Sequence, residues 1–130
     1  MKGVLSHIEI YVSDLQKSLI FRDWFLEDLG YALFQSWEYG ASYKLNQTYL
    51  VFVQVEEKYI QSQYHRKHVG LNHLAFHGGT RKEIDDLTLK LKEKGIKILY
   101  EDMHPFAAGP AYYAVFFEDP DRIKVEVVAE

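Results

Sequence analysis

Two histidines and one glutamate, His7, His73 and Glu126, are the residues of this chain whose types and positions best suit metal chemistry. Two imidazoles and one carboxylate together bind divalent Mn, Fe, Co, Ni or Zn, and a three-ligand set leaves coordination positions open for water or a substrate. An ion bound in this way can stabilise negative charge that develops on the oxygen atoms of a small molecule. The prediction requires that the elements carrying these residues point them in one direction.

Three predicted strands give the candidate ligands a common orientation. Side chains alternate between the two faces of a strand. In residues 7–12, 73–77 and 123–128, one face is apolar and suited to packing on a helix, and the opposite face carries the candidate ligand. His7 and His73 also occupy equivalent positions in an internal repeat, which strengthens the prediction for both.

The repeat consists of two similar halves. Each half begins with a histidine-bearing strand and continues with an amphipathic helix that ends at a glycine, Gly30 or Gly95. Ser13-x-x-Gln16 and Thr80-x-x-Glu83 predict capping boxes at the two helix starts. After each helix the apolar residues recur at every second position, which indicates three further strands in each half. We place them near Tyr31–Trp37, Ala41–Asn46 and Thr48–Val55, and near Ile96–Glu101, Ala111–Glu118 and Ile123–Val128.

These halves predict an α+β fold of two βαβββ modules, residues 1–56 and 68–130, joined by a polar linker at 57–67. One helix covers only one face of a small sheet, so the other face needs a partner. We therefore expect a single domain, residues 1–130, with a curved mixed sheet around a central cavity. The 10 Tyr, 8 Phe and 2 Trp are enough to line it.

Composition excludes several other classes of function. The net charge of −4 and the isoelectric point near 5.8 argue against a nucleic-acid partner, because binding to phosphates needs clustered positive charge. The absence of cysteine excludes a disulfide scaffold and a cysteine nucleophile. No apolar run is long enough to cross a membrane, and the first residues do not fit a secretory signal. We expect a cytoplasmic protein without a membrane partner.

Four stretches of the sequence carry a family resemblance. They are His7-Ile8-x-x-x-Val12-x-Asp14-Leu15-x-x-Ser18, Leu29-Gly30-Tyr31, Gly70-Leu71-Asn72-His73-Leu74-Ala75-Phe76 and Asp119-Pro120-Asp121-x-x-x-x-Glu126. The chain resembles the vicinal oxygen chelate superfamily, which includes glyoxalases, fosfomycin-resistance proteins and extradiol dioxygenases. The resemblance implies a glyoxalase-like fold and one divalent ion (Zn, Ni, Mn, Fe or Co) at His7, His73 and Glu126. It also implies lyase or isomerase chemistry on a small oxygenated substrate, with the metal stabilising an enolate or oxyanion.

The sequence departs from the family pattern at two positions. Glyoxalase I-like members carry a fourth, carboxylate ligand, and our alignment of the two halves places Phe52 there. Phenylalanine cannot bind a metal, so a three-ligand site of the fosfomycin type is the simpler prediction. The glycine that commonly follows Asp-Pro-Asp is replaced by Arg122.

Two residues are candidates for proton transfer. Glu9 shares the face of His7 and is a candidate base, although a residue at the cavity mouth paired with a lysine explains it equally well. His104, in a loop with two prolines, is a candidate acid or hydrogen-bond donor, against the commoner case of an exposed loop histidine. We predict four substrate contacts, and only one of Tyr112 and Tyr113 can line the cavity. The predicted contacts are Tyr11, Phe52, Gln54 and Tyr113.

A second function is a metal-free module that binds an aromatic drug, as the bleomycin-resistance members do. The three ligand-type residues argue against it. The resemblance also leaves open whether one chain forms the cavity or two chains of a homodimer share it.

Overall fold

The computed structural model describes residues 2–62 and 64–130, and in these ranges it has seven strands and two α-helices. The chain divides into two compact units, Met1–Gln63 and Tyr64–Glu130, and the division falls inside the predicted linker. The first unit contains β1 His7–Val12, α1 Leu15–Asp28, β2 Ala32–Trp37, β3 Gly40–Leu45, β4 Thr48–Gln54 and a 3₁₀ turn at Glu57–Tyr59. The second unit contains β5 His73–His77, α2 Arg81–Glu93, β6 Ala114–Glu118 and β7 Lys124–Val128.

The first unit is a four-stranded mixed sheet with the order β1-β4-β3-β2. β1 runs parallel to β4, and the other neighbours are antiparallel. The core lies between α1 and one face of the sheet, where Phe25, Leu26, Leu50 and Phe52 are buried. The opposite face of β1 carries His7, Glu9 and Tyr11, all exposed, as the strand alternation predicts.

The predicted capping box at the start of α1 is wrong by one residue. The N-cap is Asp14, whose side chain accepts a hydrogen bond from the Lys17 N–H at 3.1 Å. Ser13 stays outside the helix because its carbonyl accepts a hydrogen bond from Nε2 of Gln54 at 2.8 Å. Either residue type can cap a helix, so only this contact with β4 decides between them.

The second unit is a three-stranded sheet with the order β5-β7-β6, in which β5 and β7 are parallel and β6 and β7 antiparallel. α2 buries Ile84, Leu87 and Leu91. Its capping box between Thr80 and Glu83 is complete, as predicted.

The strand predicted at Ile96–Glu101 does not form. Ile98 makes one isolated antiparallel bridge to Phe117, and the Leu99 N–H donates to the Phe116 carbonyl at 2.8 Å. The ladder ends there because Tyr100 adopts a left-handed backbone conformation, with φ of 55°, which turns the chain away from β6. The loop that follows runs to Tyr113 and borders the sheet face that carries Glu126.

The predicted α+β class is confirmed, with two small mixed sheets and two helices in the described residues. Arg122 has φ of 66°, so it adopts the left-handed conformation that a glycine takes more easily in this turn. Within residues 2–62 and 64–130, the helices are too short and too polar to cross a membrane.

Candidate functional site

His73 and Glu126 form the centre of the candidate site in the second unit. They lie on the neighbouring parallel strands β5 and β7, where His73 pairs with Lys124 and Ala75 pairs with Glu126. Nε2 of His73 lies 3.2 Å from Oε2 of Glu126. The Glu126 side chain is only 6% exposed, so its charge is largely removed from water.

Two further side chains fix the orientation of this pair. The Tyr112 hydroxyl donates a hydrogen bond to Oε1 of Glu126, and this bond is the main reason that the pKa of Tyr112 is raised. Oδ1 of Asn72 lies 2.7 Å from Nδ1 of His73. An amide oxygen only accepts hydrogen bonds, so this contact assigns a ring proton to Nδ1.

The consequence is that two lone pairs face each other when the His73 ring is neutral. Nε2 then has no proton to offer, and the ionised carboxylate of Glu126 only accepts. A proton or a metal ion between the two atoms removes the repulsion. A neutral histidine held through its other nitrogen is also the usual arrangement of a histidine that binds a metal.

A groove of about 480 Å³ surrounds the pair. Its sheet side is formed by His73, Phe116, Lys124 and Glu126. Its other side is the loop after the Ile98 bridge, which contributes Tyr100, Met103, Ala107, Ala108 and Tyr112. A groove of this size with apolar walls and a few convergent polar groups is typical of a site for a small molecule.

His7 lies in the first unit, on the exposed face of β1. Its ring stacks on Tyr49, with the centroids 4.7 Å apart and the planes at 11°. Tyr11, on the same face of β1, is 65% exposed and borders a second groove, of about 730 Å³, together with Tyr39 and Ile60. Glu9, between His7 and Tyr11, is exposed as well.

The structure brings together two of the three predicted metal ligands. Among the residues that it describes, no group of three or more His, Asp or Glu side chains is arranged to hold an ion. His73 and Glu126 are the two predicted ligands whose side chains are in contact.

Phe52 has a structural position rather than the predicted substrate contact, whereas Gln54 has a structural contact and also lines the larger groove of the first unit. Phe52 is 1% exposed, and the Arg22 guanidinium of α1 lies 4.3 Å from its ring centre. Gln54 holds the start of α1, because its Oε1 accepts from the Leu15 N–H and its Nε2 donates to the Ser13 carbonyl, both at 2.8 Å.

The pairing of the strands also corrects our alignment of the two halves. His7 pairs with Tyr49 as His73 pairs with Lys124, so the equivalent of Glu126 is Val51 and not Phe52. Valine has no ligand atom either. The expectation of a site without the fourth carboxylate is unchanged.

Tyr113 and His104 lie on the side of α2. The Tyr113 hydroxyl donates to Oδ1 of Asp85 at 2.5 Å, so it is Tyr112 that enters the groove. His104 is half-buried, and burial, with a smaller contribution from Lys92, lowers its pKa. It does not belong to the described residues that line the groove around Glu126.

Sequence reasoning did not select Asn72, which contacts His73, or the polar groove residues Tyr100, Tyr112 and Lys124. A signal existed for two of them. Asn72 lies within the family-like segment before His73, and Lys124 shares the strand face of Glu126. Tyr100 and Tyr112 lie in irregular backbone, where no helical or strand periodicity predicts the direction of a side chain.

Comparison with known proteins places the chain in a family. The profile of the Glyoxalase/Bleomycin resistance protein/Dioxygenase superfamily matches residues 4–127. The uncharacterized protein YqjT of Bacillus subtilis (strain 168) is 54% identical over 125 residues, which cover 96% of this chain and 98% of that protein.

Solved structures show the same fold. The crystal structure of a candidate glyoxalase from Bacillus halodurans has a TM-score of 0.98 at 58% identity, covering 99% of this chain and 97% of that one. The fosfomycin resistance protein FosX from Listeria monocytogenes has a TM-score of 0.72 at 22% identity, covering 100% and 95% of the two chains. The profile match over nearly the whole length and the close relatives show that this chain belongs to the glyoxalase/bleomycin resistance/dioxygenase superfamily.

Proposed function

We propose that this protein is a metal-dependent enzyme of the glyoxalase type that acts on a small oxygenated substrate by lyase or isomerase chemistry. The observation that carries the proposal is the convergence of two metal-binding atoms, Nε2 of His73 and Oε2 of the largely buried Glu126, which lie 3.2 Å apart. Members of the superfamily commonly use a divalent metal and bind small molecules. We assign one ion per site, of the group Zn, Ni, Mn, Fe and Co.

The donor set fits such an ion. Imidazole nitrogen and carboxylate oxygen each bind these metals at about 2.0–2.2 Å, and two ligands of one ion then lie roughly 3 Å apart. Tyr112 and Asn72 contact the other polar atoms of the pair, Oε1 of Glu126 and Nδ1 of His73, so Oε2 and Nε2 are the atoms left for an ion. When bound, the ion supplies Lewis-acid stabilisation of the enolate or oxyanion charge that develops on the substrate.

The chain's own residues have separate tasks. Phe116 and Met103 give the groove apolar walls that exclude water from one side of a bound molecule. Tyr112 holds the Glu126 carboxylate in place. We propose Glu9 as the base that takes a proton from the substrate, since it is a carboxylate on the same strand face as His7.

We propose His7 as the third ligand. Its ring is accessible on the open face of β1, and it is the repeat equivalent of His73. Members of the superfamily are often dimeric, so a second copy of the chain is one source of this ligand and the same chain is the other.

Metal titration tests the proposal. We expect chelator-treated protein to bind one Ni²⁺, Mn²⁺ or Zn²⁺ per chain in calorimetry, and His73→Ala and Glu126→Gln each to weaken binding at least 100-fold. His77→Ala is the matched control, since His77 lies on the same strand face but is 82% exposed and pairs with Glu130. Equal affinity of wild type and His73→Ala contradicts the proposal.

Mixing two inactive variants locates the third ligand. His7→Ala and His73→Ala each lack one proposed ligand. A dimer of one subunit of each variant has one complete site only if His7 comes from the partner chain. Recovery of about a quarter of wild-type metal capacity after mixing and refolding shows a shared site. No recovery shows a site within one chain, provided that each variant alone loses binding.

Solvent exchange tests the chemistry. We expect the metal-loaded protein to exchange deuterium into the carbon next to the carbonyl of small hydroxyketones, followed by NMR. Glu9→Gln should slow this exchange at least 100-fold and leave the metal affinity unchanged. Exchange by Glu9→Gln at the wild-type rate removes Glu9 from the mechanism.

The alternative is a metal-free binding protein of the bleomycin-resistance type. The exposed Tyr11 and Tyr39 along the larger groove of the first unit favour it, because such rings can stack on a planar ligand. Two results together would favour this alternative. Wild-type protein binds none of the three metals, and a planar aromatic drug quenches its tyrosine fluorescence.

A further inference from the structure

Lys124 has an unusual environment for a lysine in an acidic chain. It lies on β7 two residues before Glu126, on the same face, and borders the same groove. Nζ lies 3.0 Å from the Tyr100 hydroxyl, and 4.9 Å and 5.1 Å from the ring centres of Tyr100 and Phe116. Among the described residues, no carboxylate forms an ion pair with it, whereas Lys82 and Lys92 pair with Asp86 and Glu101.

Tyr100 is held against this lysine by its backbone and its ring. Its φ of 55° is a left-handed conformation that non-glycine residues seldom adopt, and such conformations concentrate at functional sites. The ring packs edge-on against Phe116, with the centroids 5.6 Å apart. The hydrogen bond from Lys124, with smaller contributions from the charges of Lys124, Arg66 and Lys67, lowers the pKa of Tyr100.

We infer that Lys124 and Tyr100 form an oxyanion-binding subsite next to the His73–Glu126 pair, and that the substrate is a small molecule with an anionic oxygen group. This inference rests on the proposed function for the reacting end of the molecule, and it adds the group by which the substrate is recognised.

The hydrogen-bonding capacity of the two residues matches an oxyanion. One N–H of the Lys124 ammonium donates to the Tyr100 oxygen, which leaves two N–H groups and the phenolic O–H for a ligand. Two donors 3.0 Å apart can bind the two oxygens of one carboxylate or phosphonate. Arg66 contributes positive potential nearby, although its own guanidinium is paired with Glu118 at 2.9 Å.

The geometry of the strand sets the length of the ligand. The Cα atoms of residues two apart on one strand face are separated by about 7 Å, so one small molecule can reach from Lys124 to Glu126 within the groove. The Phe116 ring, whose centre lies 5.1 Å from Nζ of Lys124, lines this groove together with the small side chains of Ala107 and Ala108. The ligand therefore has an oxyanion at one end, an oxygen function at the other and a short apolar part between them.

Binding of matched probes to chelator-treated protein tests the subsite apart from the metal. The probes are phenylacetate and phenylphosphonate, with phenylacetamide as the neutral analogue, titrated at low salt and followed by NMR. We expect wild type to bind at least one of the two anions at least ten times more tightly than the amide. Lys124→Met should abolish this preference, and Tyr100→Phe should reduce it about threefold.

The controls separate charge from folding and the subsite from the metal pair. Lys82→Met removes a surface lysine of α2 and should leave the preference intact. Circular dichroism and thermal unfolding of Lys124→Met should match those of wild type, which shows that a loss of anion preference is not caused by unfolding. The anion preference of His73→Ala should remain at the wild-type level.

The outcomes are distinguishable. Anion preference that survives in Lys124→Met overturns the subsite, whatever the metal titration shows. A second outcome is that the anion preference depends on Lys124 but metal binding does not depend on His73. That outcome confirms the subsite and overturns the proposed function. The relative affinities of phenylacetate and phenylphosphonate decide between a carboxylate and a phosphonate substrate.

Discussion

The Tyr112 hydroxyl donates a hydrogen bond to one oxygen of Glu126, while the other oxygen of the same carboxylate lies 3.2 Å from Nε2 of His73. Tyr112 comes from the loop before β6, and Glu126 comes from β7. The loop therefore fixes which oxygen of the carboxylate remains available to a metal. A side chain outside the ligand set thus controls the orientation of a proposed ligand.

Loss of the Tyr112 hydroxyl should weaken metal binding without removing a ligand. We expect Tyr112→Phe to lower the affinity for Ni²⁺ or Zn²⁺ about 10- to 100-fold, because the carboxylate loses the contact that orients it. Calorimetric titration of chelator-treated protein measures the change. Tyr113→Phe is the matched control, since its hydroxyl donates to Asp85 of α2, and it should bind metal as wild type does. Equal losses in the two variants contradict the role given to Tyr112.

Asn72 should act on the metal through the ring of His73. We expect Asn72→Ala to weaken metal binding about tenfold, because Nδ1 loses the acceptor 2.7 Å away that holds the ring and its proton. Asn72→Asp keeps an acceptor at this position and should restore the affinity at least to the wild-type level. Failure of Asn72→Asp to bind better than Asn72→Ala excludes the hydrogen bond as the cause.

Gln54 should contribute to the stability of the first unit. Its amide satisfies the Leu15 N–H and the Ser13 carbonyl at the start of α1. We expect Gln54→Ala to lower the free energy of unfolding by about 1–3 kcal/mol, because both backbone groups lose their partner. Gln16→Ala, an exposed residue that the observed N-cap does not use, should change it by less than about 0.5 kcal/mol. Urea denaturation compares the two.

The capping box of α2 should contribute stability that depends on pH. Hydrogen bonds from Thr80 lower the pKa of Glu83 below its ordinary value of 4.5 in the folded protein. A carboxyl group whose pKa is lower in the folded state stabilises the fold above the pKa of the unfolded state, and this contribution disappears as the pH falls through the folded-state pKa.

We therefore expect wild type to exceed Glu83→Gln in the free energy of unfolding at pH 6 and to lose that advantage near pH 3. The glutamine variant keeps the hydrogen-bonding shape of the box and removes only the titration. Thermal unfolding of both proteins across this pH range gives the difference in their free energies of unfolding. The other acidic groups are the same in both proteins, so their contributions cancel in this difference. A difference that is the same at both pH values contradicts the prediction.

Local signals predicted much of the fold. The apolar period of α2 and its capping box appear in the structure where the sequence places them. The strand alternation correctly assigned His73 and Glu126 to one face of the second sheet, because side-chain direction in a strand depends only on parity. The start of α1 was misplaced by one residue because two capping residues, Ser13 and Asp14, are adjacent, and the contact that chooses between them comes from Gln54 in a distant strand.

Register and irregular backbone account for the errors in the site. The equivalence of Val51 with Glu126 is a property of the pairing between strands, which a single sequence does not show. The sequence did not show which of Tyr112 and Tyr113 lines the cavity, and Tyr113 was the predicted contact. The predicted strand began at Ala111, whereas β6 begins at Ala114 and both tyrosines lie in the preceding loop. Parity carries no information outside a strand.

The sequence by itself determined the fold class, the two related halves and the strand faces that carry His73, Glu126 and Lys124, because these follow from periodicity along the chain. Only the tertiary structure decided that His73 meets Glu126, that Tyr112 holds the carboxylate and that Tyr100 covers Lys124. Those contacts join residues that are distant in sequence. They depend on the register of the parallel strands and on the path of a loop without repeating structure.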